Sequence, residues 1–439
     1  MKDESAKQPL STEPYKGVRD FYPEDMFIQN HIFSTMRSAV ESFGFVEYGA
    51  SILEPTELYK AKSGEEIVND QTYSFKDRGD RDVTLRPEMT PTVTRMIAAR
   101  RRELSTPIRW YSIPNLFRYE KPQRGRLREH FQLNVDLFGV ENINAEIEVI
   151  SLAAMIMKKF GAKDEHYIVR INSRKILNYL LTEVLKLSTQ NAYKAMKLID
   201  KKDKMSKDEF KTLSDEIIGA QSPAFISLLN AITIEEFKKR AMEATSSDIM
   251  GVEEVTHLLE TLKKLGINNA VFDPTLARGF DYYTGIVFEV YDTDPRNPRS
   301  LFGGGRFDDL LSVFGTDKLP AVGFGMGDVG INNFLETHEL LPEYAPKTHL
   351  VICTIGEGVD NAAFQLASRL RAENINIAID ATDRKVGQKI QAADKQAIPY
   401  VTFVGEKELA SNTFTIKELS TGGEAICSSE KEIIDFINK

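Results

Sequence analysis

The stretch that decides the fold is FRYEKPQRGRLREHFQLNVDLFG, Phe117 to Gly139. Arg118 closes an apolar run from Ile108 to Phe117 and has Glu120 two residues on. In extended backbone those two side chains point to one face, so a cation and an anion share a surface. From Lys121 to Arg128 come four basic residues with Pro122 and Gly125 among them, which predicts a cationic hairpin loop with turn chemistry. Then Phe131, Leu133, Val135 and Leu137 alternate with Gln132, Asn134 and Asp136. One face of this strand is apolar and the other polar. An ordinary antiparallel hairpin with a solvated tip accounts for the loop; the row of polar groups on a sheet surface that must otherwise be covered argues against so plain a reading.

On the N-terminal side, residues 1 to 14 read as a disordered lead. KGVRDFYPEDM is a turn followed by a long helix from Pro23 to Phe43, with Phe27, Ile28, Ile32, Phe33, Met36 and Val40 as its apolar stripe. A strand from Phe45 to Ile52 follows. VTLRPEMTPTVT, Val83 to Thr94, runs a short strand into a helix with Thr90 as N-cap and Pro91 at its first position. Glu88 sits in that junction, either complementing a helix dipole or presented to a ligand at a strand end.

Beyond the hairpin, Asn144 to Phe160 is an amphipathic helix ended by Gly161, and Tyr167 to Ile171 is a strand. From Ser173 to Leu265 the pattern is helical throughout. Between Lys186 and Lys211 stand eight lysines against four acids, a solvated face or an RNA-contacting one. Strand character returns in LARGFDYYTGIVFEVYD, where Arg278 precedes Tyr282 and Tyr283. The two tyrosines are rim-packing β-formers or line a pocket for a flat ring, with hydroxyls for its nitrogens. FGGGR, Phe302 to Arg306, reads as a close-approach loop before a helix from Phe307 to Phe314. The glycines of GFGMG, Gly323 to Gly327, let an element pack closely or a ligand approach backbone. Pro342 to Pro346 marks a linker, after which strands and helices alternate as a compact α/β module with a parallel or mixed sheet. Arg384, Lys385 and Lys389 near a helix start there suit phosphate contact.

A chain of 439 residues divides into two or three domains. Its formal charge of -9 makes any nucleic-acid partner depend on local basic patches. Two cysteines, Cys353 and Cys427, give no disulfide framework and point to a reducing cytoplasm. No apolar run is long enough to span a membrane, and the polar N-terminus is no signal peptide. The histidines are scattered singly without HExxH or CxxC, which argues against a protein-built zinc site, and no P-loop is present.

Taken together, KGVRDFYPEDM, TLRPE, FRYEKPQRGRLREHFQLNVD, LARGFDYYTGIVFE, GGGRFDDL and AVGFGMG, followed by the terminal α/β module, resemble class II aminoacyl-tRNA synthetases and, within them, the histidyl-tRNA synthetase family. The resemblance covers nearly the whole chain. It implies an α+β fold: a catalytic domain on an antiparallel sheet in two parts, residues 1–172 and 266–341, a helical insertion at 173–265 near the tRNA acceptor arm, and an anticodon-binding domain at 346–439. It also implies a cytoplasmic homodimer that joins L-histidine to ATP as histidyl adenylate and passes the histidyl group to tRNA(His).

By the same resemblance, Arg118 and Arg278 are the catalytic cations, for attack of a carboxylate on an α-phosphate needs positioned positive charge more than a general base. Arg118, Glu120, Arg126 and His130 would hold ATP, with Mg²⁺ neutralising the departing pyrophosphate. Glu88, Thr90 and Gln132 would bind the substrate ammonium, and Asp136, Arg278, Tyr282 and Tyr283 complete the histidine site around the imidazole. Gln123 and Arg124 would face the tRNA. The chain departs from the pattern where an arginine often follows AVGFGMG to grip the terminal phosphate: it reads Asp328, Val329, Gly330, so either another cation serves, with Arg306 as the candidate, or ATP binding is weakened. His130 precedes Phe131 where an aromatic ring usually comes first, and Ser51 replaces a common proline. These departures also fit a synthetase-like regulatory or binding subunit without catalytic activity, although the RGFDYY signature and the terminal module weigh toward the enzyme.

Overall fold

The structure, a computed structural model, describes residues 10–60, 71–245, 249–277 and 282–438. Two compact units divide the chain, Met1–Pro342 and Glu343–Lys439. In the first, the strands in order are β1 (Val46–Glu47), β2 (Leu53–Pro55), β3 (Tyr73–Lys76), β4 (Asp82–Leu85), β5 (Ile108–Ser112), β6 (Asn115–Phe117), β7 (Glu129–Phe138), β8 (Tyr167–Ser173), β9 (Ala270–Phe272), β10 (Ile286–Asp292), β11 (Ser300–Phe307) and β12 (Ala321–Gly327). Nine of them make one sheet in the order β1-β5-β7-β12-β11-β10-β8-β9, with β6 paired to β7. All neighbours are antiparallel except β1 with β5 and β8 with β9. A separate small sheet has the order β2-β4-β3.

Alternation along β7 works as the sequence predicts. Leu133, Val135 and Leu137 enter one core with Val322, Phe324 and Met326 of β12, and with Ile32 and Met36 of α1 (Pro23–Ser42). A further helix, Asn144–Lys159, adds Val149, Ile150 and Met157 to that core. The opposite face carries Gln132, Asn134 and Asp136, left for the site. The β8–β9 pair is parallel, which requires a crossover rather than a hairpin. The helical stretch supplies it, and its Leu198, Phe225, Phe237 and Leu258 are continuous with the core of the sheet.

Several boundaries differ from the sequence reading. The apolar run before Arg118 breaks at Ile113 and Pro114 into β5 and β6, and the expected strand from Phe45 to Ile52 shrinks to β1. The helix Thr90–Ala99 has Met89 as its N-cap, so Thr90 is its first residue and Pro91 its second. FGGGR is no loop: it is the middle of β11, hydrogen-bonded on both sides to β10 and β12. Glycine reads as a turn signal in a sequence, but neighbours on both edges hold it extended here.

The second unit is a five-stranded mixed sheet. Leu350–Ile355 lies between Ile377–Asp380 and Tyr400–Gly405, all parallel, and Phe414–Glu418 and Glu424–Cys427 add antiparallel strands. Both cysteines are buried and free. Lys389 is no phosphate contact. Its buried Nζ donates to the carbonyls of Thr354 at 2.7 Å and Asp380 at 2.9 Å.

Candidate active site

The polar face of the sheet is floored with glycine. Gly303 pairs in register with Gly325, and Gly305 with Gly323, across the two central strands β11 and β12. A side chain at these positions would collide with what lies above. A Cβ at Gly323 would stand 2.4 Å from Oδ1 of Asp136, one at Gly325 would stand 2.8 Å from Cδ of Gln132, and one at Gly305 would stand 3.1 Å from Cδ1 of Tyr283. The missing side chains are therefore the space that Asp136, Gln132 and Tyr283 occupy.

The Glu88 junction meets this floor at one end. Glu88 is buried, and the hydroxyl of Tyr282 donates to its Oε2 at 3.3 Å. The Thr90 hydroxyl also reaches Tyr282. Tyr282 and Tyr283 meet edge to face with ring centroids 5.0 Å apart. Burial first, then the neighbouring Glu88 carboxylate, raises the pKa of both phenols, so they stay protonated and can donate. Burial pushes the Asp136 carboxyl up to about 7. Arg86 of TLRPE is a clamp: its Nε donates to the carbonyl of Asn115 at 3.0 Å and its Nη1 to that of Ala50 at 2.8 Å. It fixes the Glu88 junction against β6.

Beside this cluster opens a cavity of about 630 Å³. Arg118, Glu120, Gln123, Arg124, Arg126, His130 and Gln132 all line it, so the loop of the opening hairpin forms one wall. Arg118 and Glu120 do share a surface, although a turn rather than a strand brings them there, with the Glu120 N–H donating to the Arg118 carbonyl at 2.7 Å. The Arg118 guanidinium is aimed by the carbonyl of Pro87, which accepts from Nε at 2.9 Å, one residue from Glu88. Arg126 pairs with Glu120 at 3.0 Å. His130 is pushed down to about 3 by burial and then by the charges of Arg118 and Arg19, so its ring is neutral at pH 7. Phe131 turns the other way, packing on Phe21 and Phe33.

The far wall was not read from the sequence. Glu289 of β10, and Arg296, Asn297 and Arg299 of the loop between β10 and β11, face the hairpin across the cavity. Five arginines thus line it (118, 124, 126, 296 and 299) against the carboxylates Glu120 and Glu289, a balance suited to a polyanion. Glu289 had a signal, its place opposite Phe288 and Val290 in the β10 alternation. Arg278 lies outside the described residues.

Arg306 is not part of the site. Alternation along β11 turns it to the helix-packed face, where Nε and Nη2 grip Glu146 at 2.6 and 2.7 Å. Asp328 replaces no cation in function either. It is buried at the first turn of the helix Asp328–Thr337, accepting from Arg19 at 2.7 Å, Gln29 at 3.2 Å and the Phe131 N–H at 2.9 Å.

Comparison with known proteins agrees with this geometry. The histidyl-tRNA synthetase family model matches residues 17–327, and an anticodon-binding domain model matches residues 349–439. The chain is 43% identical over 421 residues to a histidine--tRNA ligase of Leptospira biflexa serovar Patoc, covering 94% of this chain and 95% of that protein. It is 36% identical to a histidine--tRNA ligase of Thermoplasma volcanium, covering 98% and 99% of the two chains. In fold it is similar to the crystal structure of histidyl-tRNA synthetase from Nostoc sp. PCC 7120, with a TM-score of 0.83 at 20% identity over 98% of this chain and 99% of that one. A model match over more than half the length and relatives aligned nearly end to end lead to one conclusion: this chain belongs to the histidyl-tRNA synthetase family.

Proposed function

We propose that this protein is an ATP-dependent histidine--tRNA ligase, which activates L-histidine to histidyl adenylate and transfers the histidyl group to tRNA(His). The observation that carries the reading is the glycine floor beneath two adjoining features, a polar cluster of Asp136, Tyr282, Tyr283 and Glu88 and a cavity lined by five arginines. An imidazole fits the first because its donor and acceptor nitrogens are discriminated best by buried polar partners. The Glu88 carboxylate, with Thr90 and Gln132, suits the substrate ammonium.

The chemistry follows from charge. The histidine carboxylate attacks the α-phosphorus, the bond to the β-phosphate oxygen breaks, and pyrophosphate leaves with the electron pair. Arg118, whose planar fork cannot lose its charge, stabilises the oxygens on which charge builds, and we assign Arg278 the same task from the opposite side. Neutral His130 offers a ring face to adenine, and Glu120 and Arg126 hold the nucleotide. Mg²⁺ bound by ATP needs only one or two protein carboxylates, and Glu120 and Glu289 are the ones lining the cavity; it would neutralise the departing pyrophosphate. We place the protein in the cytoplasm as a homodimer, supported by two free buried cysteines and by the exposed Val46, Leu53 and Phe75 on the β1 edge and the small sheet. Gln123 and Arg124 at the cavity rim are within the loop we assign to the tRNA end.

The test is ATP–pyrophosphate exchange with histidine against a panel of other amino acids. Exchange that depends on histidine is expected; none with an otherwise folded protein would mean a regulatory or binding subunit instead.

A further inference from the structure

Gly305 and Arg306 are neighbours on β11 with different tasks. Gly305 faces the site, where a Cβ would stand 3.1 Å from Cδ1 of Tyr283. Period-two alternation sends Arg306 to the other face. There its side chain lies against the residues that follow the tyrosines: a Cβ at Gly285 would stand 2.9 Å from Cδ of Arg306. The Thr284 N–H donates to the Arg306 carbonyl at 2.8 Å. The strand that leaves room for the Tyr283 ring therefore also holds its chain from behind.

Thr284, one residue past Tyr283, has a second anchor. Its hydroxyl donates to Oδ2 of Asp308 at 2.9 Å and accepts from the Asp308 N–H at 3.2 Å. Oδ1 of the same carboxylate accepts from Nη1 of Arg306 at 3.3 Å. Arg306 is itself fixed by the buried Glu146 carboxylate and by the carbonyls of Val140 at 3.2 Å and Asn142 at 3.1 Å. Glu146 stands near the start of the helix Asn144–Lys159, whose Val149, Ile150 and Met157 lie in the main core. The connection thus runs from a packed helix through Glu146, Arg306, Asp308 and Thr284 to the tyrosine segment, and none of these four lines the nucleotide cavity. Hydroxyls that must tell one ring from another have to be held to within about 0.5 Å, and a bracket rooted in the core supplies that constraint.

We infer that Arg306, Asp308 and Thr284 are positioning residues for histidine: they set Tyr282 and Tyr283 from behind the sheet without touching the substrate. The inference rests on the ligase reading only for the identity of the ligand. Thr284→Val keeps the backbone bond to Arg306 and removes the hydroxyl. Asp308 is about a third exposed, so water can take up the freed carboxylate oxygen and the fold should survive. In the full chain without substrates, hydrogen–deuterium exchange over residues 282–286 speeds up about 10-fold in Thr284→Val, while Thr284→Ser stays near wild type. In ATP–pyrophosphate exchange the KM for histidine rises about 5-fold or more, the KM for ATP stays within twofold, and Asp308→Ala reproduces both effects. Unchanged deuterium exchange over 282–286 in Thr284→Val and Asp308→Ala overturns the inference, as does an equal rise in both KM values. Faster deuterium exchange in the variants of a protein whose wild type shows no histidine-dependent pyrophosphate exchange would instead overturn the ligase reading and leave the bracket standing.

Discussion

Asp136 shows how one side chain ties stability to function. Its carboxyl is buried over Gly323 and pushed up to about 7 from the ordinary carboxylate range near 4. The folded state therefore holds this proton more tightly than the unfolded chain does. Stability from this group is complete below about pH 4 and is lost as pH rises toward 7. Asp136→Asn has no such proton to lose. Its stability relative to wild type should rise by on the order of 3 kcal/mol between about pH 4.5 and 8, measured by urea denaturation at both ends; parallel wild-type and variant curves would refute the assignment. At the same scale, the sequence shows that Asp136 lies on the polar face of its strand, because period-two alternation is local. It cannot show that Arg306 lies on the other face of β11, since that depends on which strand neighbours it and where Glu146 is placed.

Among the elements, the paired central strands carry the site, and they were the hardest to read. Three consecutive glycines in β11 have no side chains to show a period, so local pattern gives a loop where the ladder gives a strand. The alternating strand β7 and the long helix α1 were legible because their apolar positions repeat. The loop carrying Arg296 and Arg299 was not, for its partner across the cavity lies some 170 residues earlier, with Gln123 and Arg299 separated by 176 positions. The glycine floor makes a sharp demand on these strands. Gly323→Ala would place a methyl 2.4 Å from Oδ1 of Asp136 and 2.5 Å from the Val135 carbonyl oxygen. We expect a loss of about 2–3 kcal/mol and of histidine binding. Gly49→Ala, with nothing within 4 Å of the new carbon, should stay within about 0.5 kcal/mol of wild type. Thermal and urea unfolding of the two variants decide the matter; equal behaviour would mean that the floor yields freely.

For the molecule as a whole, the division at Pro342 is physical as well as compositional. The second unit covers both faces of its own sheet, with Leu350, Ile352, Leu366, Val404 and Ile433 on one side and Val351, Cys353, Ala393, Ile398 and Val401 on the other. Residues 343–439 expressed alone should thus unfold in one cooperative transition; a broad, featureless melt would show that the unit borrows its core. The first unit is knit differently. Asp328 joins Arg19, Gln29 and the backbone of Phe131, groups about 200 to 310 positions apart along the chain. On the ribosome, a nascent chain halted short of that aspartate can pack α1 on the opening hairpin through Phe33 and Phe131, but lacks the buried carboxylate that accepts from Arg19, Gln29 and the Phe131 N–H at once. The nucleotide chamber is accordingly one of the last parts of this unit to be assembled during synthesis, and it closes only when a late residue reaches back to the beginning.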